Sequence, residues 1–164
     1  MTNRLQRITP FLWFNNDAED AVKFYVSVFD NSRIGQTTHY TKESSDAAGQ
    51  PEGSVMTIAF ELDGQPFTAI NGGPHFKFTE AVSFVVNCES QDEIDYYWNR
   101  LSEGGDPKSH VCGWLKDRFG LSWQITPAEL SKLMSTPGKT AAVMKEVLKM
   151  KKIDLATLRR AAGE

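Results

Sequence analysis

The pattern of hydrophobic and polar residues predicts a set of elements that occurs twice along the chain. The apolar run "ITPFLWF" has the length of a strand, although its proline favours a strand start or an edge. In "DAEDAVKFYVSVF", Asp17 is a candidate N-cap and the apolar residues follow helical spacing. "SRIGQTTHY" predicts a strand, and the polar segment "TKESSDAAGQPEG" predicts a loop. Two strands, "SVMTIAFEL" and "QPFTAIN", then flank a tight "DG" turn.

The same order of elements begins again at residue 81. "AVSFVVN" predicts a strand, and "SQDEIDYYWNRLSEGG" predicts a helix in which Ser90 and Glu93 have the spacing of a capping box. "PKSHVCGWLKD" and "LSWQIT" predict further strands around a turn at residues 118–120. A strand, a helix and a group of strands therefore occur twice, which indicates an α+β fold built from a structural repeat.

The character of the sequence changes after Pro127. The remainder is helical in pattern and is interrupted near Pro137 and Gly138. We therefore expect one domain over residues 1–127, with modules at about 8–73 and 80–127, and a helical tail over residues 128–164.

Composition narrows the classes of partner. The 164 residues carry a net charge of −3, and phosphate binding requires a basic excess that this chain lacks. No apolar run approaches the roughly 20 residues of a membrane span, and "MTNRLQRITP" lacks the apolar core of a signal peptide. Two cysteines, Cys88 and Cys112, predict neither a disulfide framework nor structural zinc. We expect a cytoplasmic protein with no nucleic-acid or membrane partner.

Four stretches carry a resemblance to a known family: "ITPFLWFNNDAEDAVKFYVSVF", "FTAINGGPHFKFTEAVSFVVNC", "DEIDYYWNRLSEGG" and "CGWLKDRFGLSWQITP". Over residues 8–127 the chain resembles the PhnB-like, 3-demethylubiquinone 3-methyltransferase-like branch of the vicinal oxygen chelate (glyoxalase/bleomycin-resistance/dioxygenase) superfamily. The tail segment "KMKKIDLATLRRA" is similar to the extension of many members. The resemblance implies two βαβββ modules that form a cupped, mostly antiparallel sheet around a cavity, followed by the C-terminal helices.

The resemblance also implies where a metal would be held, because metal-using members place His, Gln or Glu on the first and last strands of each module. The corresponding positions here are Pro10, Ala69 or Asn71, Ser83 and Gln124. This set contains no imidazole and no carboxylate, and serine is a poor ligand for a transition metal. We therefore expect the fold without a bound metal and without another cofactor.

Gln124 is the most informative of these positions. Strand alternation puts it on one face with Ser122, while Leu121, Trp123 and Ile125 point to the other. Its amide either donates to and accepts from a ligand or satisfies backbone groups of the sheet. The predicted ligand-binding residues are Phe14, Asn71, Ser83, Trp114 and Gln124. Each has a structural alternative: Asn71 precedes "GGP" and could shape a turn, and Trp114 could belong to the core.

Other reactive side chains favour structural roles. Cys112 lies two residues from His110, but no third group orients the pair, and a buried structural thiol is the preferred interpretation. His39 and His75 favour surface or loop positions, and an unrelated metal site formed with His110 is the alternative. Lysines 145, 149, 151 and 152 indicate a solvated helical face.

Three functions are compatible with the sequence. The first is a metal-free protein that binds an apolar or aromatic small molecule in its cavity, with a neutral oxygen-bearing compound such as a quinone or phenol as the preferred ligand. The second is an enzyme of the same fold, methyltransferase-like, lyase-like or dioxygenase-like, although the Gly-rich loop of common S-adenosylmethionine methyltransferases is missing. The third is an interaction module that works through the tail.

A homodimer is also expected. The resemblance implies that modules pair across two chains, and apolar residues of the tail need cover. These residues are Met134, Val143, Val147, Leu155 and Leu158.

Overall fold

The computed structural model describes residues 5–135 and 137–164, which divide into two compact units on either side of the Lys77–Phe78 bond. The first unit contains β1 (Phe11–Phe14), α1 (Ala18–Val28), β2 (Arg33–His39), α2 (Lys42–Ala48), β3 (Val55–Leu62) and β4 (Gln65–Asn71). The second contains β5 (Ser83–Cys88), α3 (Gln91–Ser102), β6 (Trp114–Lys116), β7 (Ser122–Pro127), α4 (Leu130–Ser135), α5 (Thr140–Val147) and α6 (Leu155–Ala162). The predicted α+β class is confirmed: each unit has one small open sheet, and helices form the C-terminus.

The sheet of the first unit has the strand order β1-β4-β3-β2 and is covered on one face by α1. Strands β1 and β4 are parallel, and the other two pairs are antiparallel. Ala21, Val22 and Tyr25 of α1 are fully buried, as is Ala69 of β4. On the opposite face Phe11 is 58% exposed. Alternation along the strands therefore gives this sheet one packed face and one open face.

The polar segment before β3 is not the loop that its composition predicts, because it contains helix α2. Thr41 caps this helix: its hydroxyl accepts from the Ser44 backbone N–H at 3.4 Å, and the Ser44 hydroxyl accepts from the Thr41 N–H at 2.8 Å. Gly49 ends the helix with φ at +66°, a left-handed conformation that glycine adopts without steric cost. Local capping thus supports a short helix that has no buried residue.

The sheet of the second unit has the order β5-β7-β6, with β5 and β7 parallel and β6 and β7 antiparallel. One face packs on α3, whose Ile94, Trp98 and Leu101 are buried. The strand predicted through "PKSHVCGWLKD" is reduced to the three residues of β6, preceded by a 3₁₀ turn over Pro107–Ser109. This module therefore has three strands, whereas the βαβββ order implied by the family resemblance has four.

Two backbone features explain that missing strand. The carboxylate of Asp106 accepts from the Lys108 N–H at 2.9 Å, which stabilises the turn over the extended form. Cys112 and Gly113 have φ of 53° and 84°, and such values interrupt an extended strand. Their N–H groups donate to Met150 O and Lys151 O at 2.8 and 2.7 Å, so the chain at this point binds the tail.

The tail packs within the second unit. Leu133, Val143, Ile153 and Leu158 are fully buried, and the Gln91 side chain of α3 accepts from the Leu155 N–H at 2.9 Å. Four apolar residues that we expected to need a dimer interface are thus covered within the second unit: Val143, Val147, Leu155 and Leu158. The homodimer stays a prediction that rests on the family resemblance alone.

Within residues 5–135 and 137–164, no helix combines the length and the apolar character that a membrane crossing requires.

The β6–β7 hairpin is organised by one buried carboxylate, that of Asp117, which is 3% exposed. Its Oδ1 accepts from the N–H groups of Phe119 and Leu121 at 2.8 and 3.1 Å. Its Oδ2 accepts from the Trp123 indole N–H at 2.8 Å. The Asp117 backbone N–H also donates to Leu121 O at 3.0 Å. One side chain therefore ties the turn to the strand that follows it.

We predict that Asp117→Ala lowers the free energy of unfolding by about 3 kcal/mol or more, because three donors lose a charged acceptor. Chemical denaturation measures this change. Asp106→Ala is the matched control, since that exposed carboxylate accepts from a single N–H in a 3₁₀ turn, and we expect a loss of about 1 kcal/mol. Equal losses for the two variants would contradict the central place of Asp117 in the hairpin.

Candidate functional site

The register of the second sheet places side chains in two rows on the face that α3 does not cover. Lys116 pairs with Ser122, and Ser122 pairs with Ser83. Two residues along, Trp114 pairs with Gln124, and Gln124 pairs with Val85. Paired residues project from the same side of a sheet. The first row therefore offers an ammonium and two hydroxyls, and the second offers an indole, an amide and an aliphatic group.

A pocket of about 480 Å³ opens over part of this face. Its polar lining comes from Glu80, Lys108, Ser109, Lys116 and Ser122. Its apolar lining comes from Val111, Cys112, Trp114 and Leu115. The pocket thus combines an apolar wall with polar groups that face the same space, a combination found in small-molecule sites.

Ser122 is the unusual residue of this pocket. It is 1% exposed, and its Oγ atom is buried without a hydrogen-bond partner. A buried hydroxyl without a partner costs free energy, so such groups are rare in folded proteins. Ser122 therefore combines a place in the pocket lining with an unmet hydrogen-bonding requirement.

Gln124 and Ser83 form a polar pair beside Ser122. The Gln124 Nε2 donates to Ser83 Oγ at 2.8 Å. Both residues are half-buried. The amide that the sequence singled out is thus held by a side chain of the neighbouring strand, on the same face as the pocket.

Lys116 and Glu80 form an ion pair at the pocket. The Lys116 Nζ contacts Glu80 Oε1 at 2.5 Å, and the two side chains are 29% and 65% exposed. The hydrogen bond from the Lys116 ammonium holds the pKa of Glu80 below its ordinary value. The cation is the more buried partner and lies on a strand, whereas Glu80 lies outside any helix or strand.

The predicted site residues fall into two groups. Ser83, Trp114 and Gln124 come together on the open face of the second sheet. Phe14 and Asn71 lie in the first unit, paired with each other in β1 and β4, and are 2% and 5% exposed. They share the face of Leu12 and Ala69, which α1 covers.

Asn71 has a full set of contacts within the first unit. Its Oδ1 accepts from the Ala18 N–H at 2.9 Å, which caps α1 in place of the predicted Asp17 side chain. Its Nδ2 donates to Glu19 Oε2 and Val55 O at 2.7 and 3.1 Å. A small polar recess of about 220 Å³ is lined by Asn71 and Glu19. These contacts favour a structural role, and ligand binding by Phe14 and Asn71 remains a prediction.

The open face of the first sheet presents an aromatic pair that sequence reasoning missed. The Trp13 indole donates to Gly73 O at 3.0 Å, and its ring lies 4.9 Å from that of Phe76 in an edge-on arrangement. A Cβ at Gly72 would lie 2.2 Å from the Trp13 ring, so the first glycine of "NGGP" is required by this close approach. The sequence did contain a signal for this position: Phe11 and Trp13 are two residues apart on one strand, so their side chains project from the same face.

Two of the positions that the family resemblance assigns to metal ligands, Pro10 and Ala69, carry side chains without a ligand atom. Pro10 O accepts from the Thr68 N–H at 2.9 Å, and its ring offers no ligand atom. Ala69 is fully buried. Among the described residues, no group of three or more His, Cys, Asp or Glu side chains is arranged to hold a metal ion.

The two thiols give no support to nucleophilic catalysis. Burial raises the pKa of Cys88 to about 12, which keeps it protonated at neutral pH. His110 Nε2 is buried without a partner, and its ring packs edge-on against Trp98 at 5.0 Å. Burial, with the nearby Lys151 charge, lowers the pKa of His110. The imidazole is therefore not held in a hydrogen bond to Cys112 through Nε2.

We predict that Asn71→Ala lowers the free energy of unfolding by about 1–3 kcal/mol, because the Ala18 N–H and the Val55 carbonyl lose their hydrogen bonds to Asn71. Thermal and chemical denaturation measure the loss. Asn87→Ala is the control, since Asn87 is exposed on β5, and its effect should stay within about 0.5 kcal/mol. A fully stable Asn71→Ala protein would contradict the structural role.

The chain is similar to known proteins in family and in fold. The family described as 3-demethylubiquinone-9 3-methyltransferase matches residues 6–126. The PhnB protein from Bacillus cereus is 38% identical, with a TM-score of 0.63 over 75% of this chain and 100% of that one. No curated protein sequence matched the chain.

Two more distant structures share the fold alone. Protein PA1353 from Pseudomonas aeruginosa is 21% identical, with a TM-score of 0.56 over 76% of this chain and 98% of its own. The fosfomycin resistance protein FosX from Mesorhizobium loti is 16% identical, with a TM-score of 0.54 over 82% of this chain and 99% of its own. The likeness extends to the glyoxalase, or vicinal oxygen chelate, fold.

Proposed function

The chain belongs to the 3-demethylubiquinone-9 3-methyltransferase family, a PhnB-like branch of the vicinal oxygen chelate superfamily, and we propose that it binds a small apolar or aromatic molecule without a metal ion. The proposed site is the open face of the second sheet. The observation that carries the proposal is the buried, unpartnered Ser122 hydroxyl in the lining of a 480 Å³ pocket.

The chemistry of the pocket favours a ligand with a ring and an oxygen. Trp114 supplies an aromatic surface that binds apolar rings through its area and its quadrupole. The Ser122 hydroxyl donates to, or accepts from, an oxygen on that ring. Gln124 is outside the pocket lining but pairs with Trp114 in the sheet, so its amide lies on the same face. A phenol or quinone meets these three requirements.

Metal-free binding follows from the residue types at the ligand positions. The side chains at these positions, Pro10, Ala69 or Asn71, Ser83 and Gln124, supply no imidazole, thiolate or carboxylate. Those groups are the ligands that hold zinc and iron in proteins. Ligand recognition would then depend on hydrogen bonds and apolar contact. Such a site would bind its ligand in a different way from the metal-using members of the fold.

We predict that the untagged protein, dialysed against a mixture of zinc, iron, nickel and manganese, retains less than a tenth of an equivalent of any of them. Elemental analysis measures the metal content. One tightly held equivalent that survives competition from a weak chelator would contradict metal-free binding.

We predict that Ser122→Ala weakens the binding of 1-naphthol, a neutral phenolic probe, about tenfold, through the loss of one hydrogen bond. The same change should leave the melting temperature equal or higher, because it removes a buried hydroxyl without a partner. Isothermal titration and thermal denaturation give the two values. Opposite directions of affinity and stability distinguish a binding residue from a packing residue.

Two further variants sharpen this test. Gln124→Ala should also weaken 1-naphthol, whereas Gln65→Ala, an exposed glutamine in the first unit, should not. Unchanged affinity in Ser122→Ala, with the wild-type protein binding the probe, would place the ligand elsewhere. Failure of the wild-type protein to bind 1-naphthol or related phenols would count against the proposed function.

An enzyme that acts on a quinone-like or aromatic substrate is the alternative, and the family's description favours it. Methyl transfer would need a methyl donor, and the sequence lacks the Gly-rich loop of the common S-adenosylmethionine fold. Saturable binding of S-adenosylmethionine, with transfer of its methyl group to a phenolic probe, would support the enzyme over the binding protein.

A further inference from the structure

The two residues of the ion pair at the pocket differ in exposure and in secondary structure. Lys116 is fixed on β6 opposite Ser122, and its side chain is 29% exposed. Glu80 precedes β5 in a segment with no helix or strand, and its side chain is 65% exposed. The cation is therefore a built part of the pocket, whereas the carboxylate reaches it from the rim.

Replacing the Glu80 carboxylate at Lys116 by a carboxylate from a ligand would cost little free energy of folding. A solvent-exposed ion pair contributes little to stability, because water screens the charges and the side chains lose freedom. Lys116, however, is partly removed from water and keeps a requirement for a negative partner. A second anion that also contacts the pocket walls would compete well against Glu80.

We propose that Glu80 occupies the place of an acid group on the ligand, so that the site takes an apolar or aromatic carboxylic acid. This inference rests on the proposed binding function and refines its ligand class. The ring would lie against Trp114, and the carboxylate would displace Glu80 from the Lys116 ammonium. One carboxylate oxygen would accept from the Ser122 hydroxyl, which has no partner within the protein.

The charge balance of the pocket favours a single negative charge. The lining contains two cations, Lys108 and Lys116, and one anion, Glu80. The lining thus has a net charge of +1, which one ligand carboxylate balances while Glu80 stays at the rim. A neutral phenol satisfies Ser122 but leaves the Lys116–Glu80 pair unchanged, so the acid gains a charge-assisted hydrogen bond that the phenol does not.

The experiment compares 1-naphthoate with 1-naphthamide, which has the same ring system and no charge, by isothermal titration at pH 7. We expect the wild-type protein to prefer the acid. Glu80→Gln should tighten 1-naphthoate about threefold or more, because the internal competitor is gone, and Lys116→Met should weaken it about tenfold. Both changes should affect 1-naphthamide much less than 1-naphthoate, because the amide carries no charge to pair with Lys116.

Controls separate the pocket from general charge effects. Glu146 and Lys149 form an ion pair at 2.7 Å in the tail, outside the pocket lining, with side chains that are 29% and 57% exposed. Glu146→Gln and Lys149→Met make the same changes in net charge and should leave both affinities unchanged. Lys116→Arg should restore much of the binding of 1-naphthoate lost in Lys116→Met. Melting temperatures within a few degrees of wild type establish that each variant is folded.

Each outcome decides the proposal. Tighter binding of 1-naphthoate in Glu80→Gln, with weaker binding in Lys116→Met, supports it. Equal affinities for the acid and the amide, or weaker binding of the acid in Glu80→Gln, would overturn the acid class and leave the binding function in place. No binding of either probe, together with no binding of 1-naphthol, would contradict both.

Discussion

The second unit depends on the way Asp117 holds the turn between β6 and β7. Its buried carboxylate accepts from two backbone N–H groups of the turn and from the Trp123 indole. A change of register by one residue would move every side chain of a strand to the opposite face. By fixing this hairpin, Asp117 keeps Trp123 in the core on α3 and keeps Ser122 and Gln124 on the opposite face. The chemistry of the site is thus set by a carboxylate that is not part of it.

The pocket follows from that register. Pairing of β6 with β7 brings the Lys116 ammonium beside the Ser122 hydroxyl, and the Trp114 indole beside the Gln124 amide. The protein supplies a partner for the lysine, through Glu80, and for the glutamine, through Ser83. It supplies none for Ser122. Binding energy would therefore come from the ring surface of Trp114 and from the hydroxyl that folding leaves unpaired.

Part of the fold and the site could be predicted from the sequence, and the reason differs by residue. Ser83 and Gln124 were predicted from the family resemblance, and strand alternation, a local rule, puts Gln124 on the face of Ser122. Trp114 was predicted from its place near the start of a strand. Asn71 could not be assigned, because its role depends on the N-terminus of α1, a contact across 53 positions of the chain. Helix α2 was missed, since its capping outweighed its polar composition. The place of Lys116 on the face of Trp114 could be predicted, because the two residues are two positions apart on one strand. The contact between Lys116 and Glu80 could not, because Glu80 lies in no helix or strand.

The most direct test of the account is a backbone and indole ¹H–¹⁵N correlation spectrum of the intact protein, titrated with 1-naphthol. The account predicts dose-dependent shifts at the Trp114 indole and at the amides of Ser83, Ser122 and Gln124, with little change at Trp13. Shifts confined to Trp13 and its partner Phe76, on the open face of the first sheet, would contradict the assignment of the site to the second sheet.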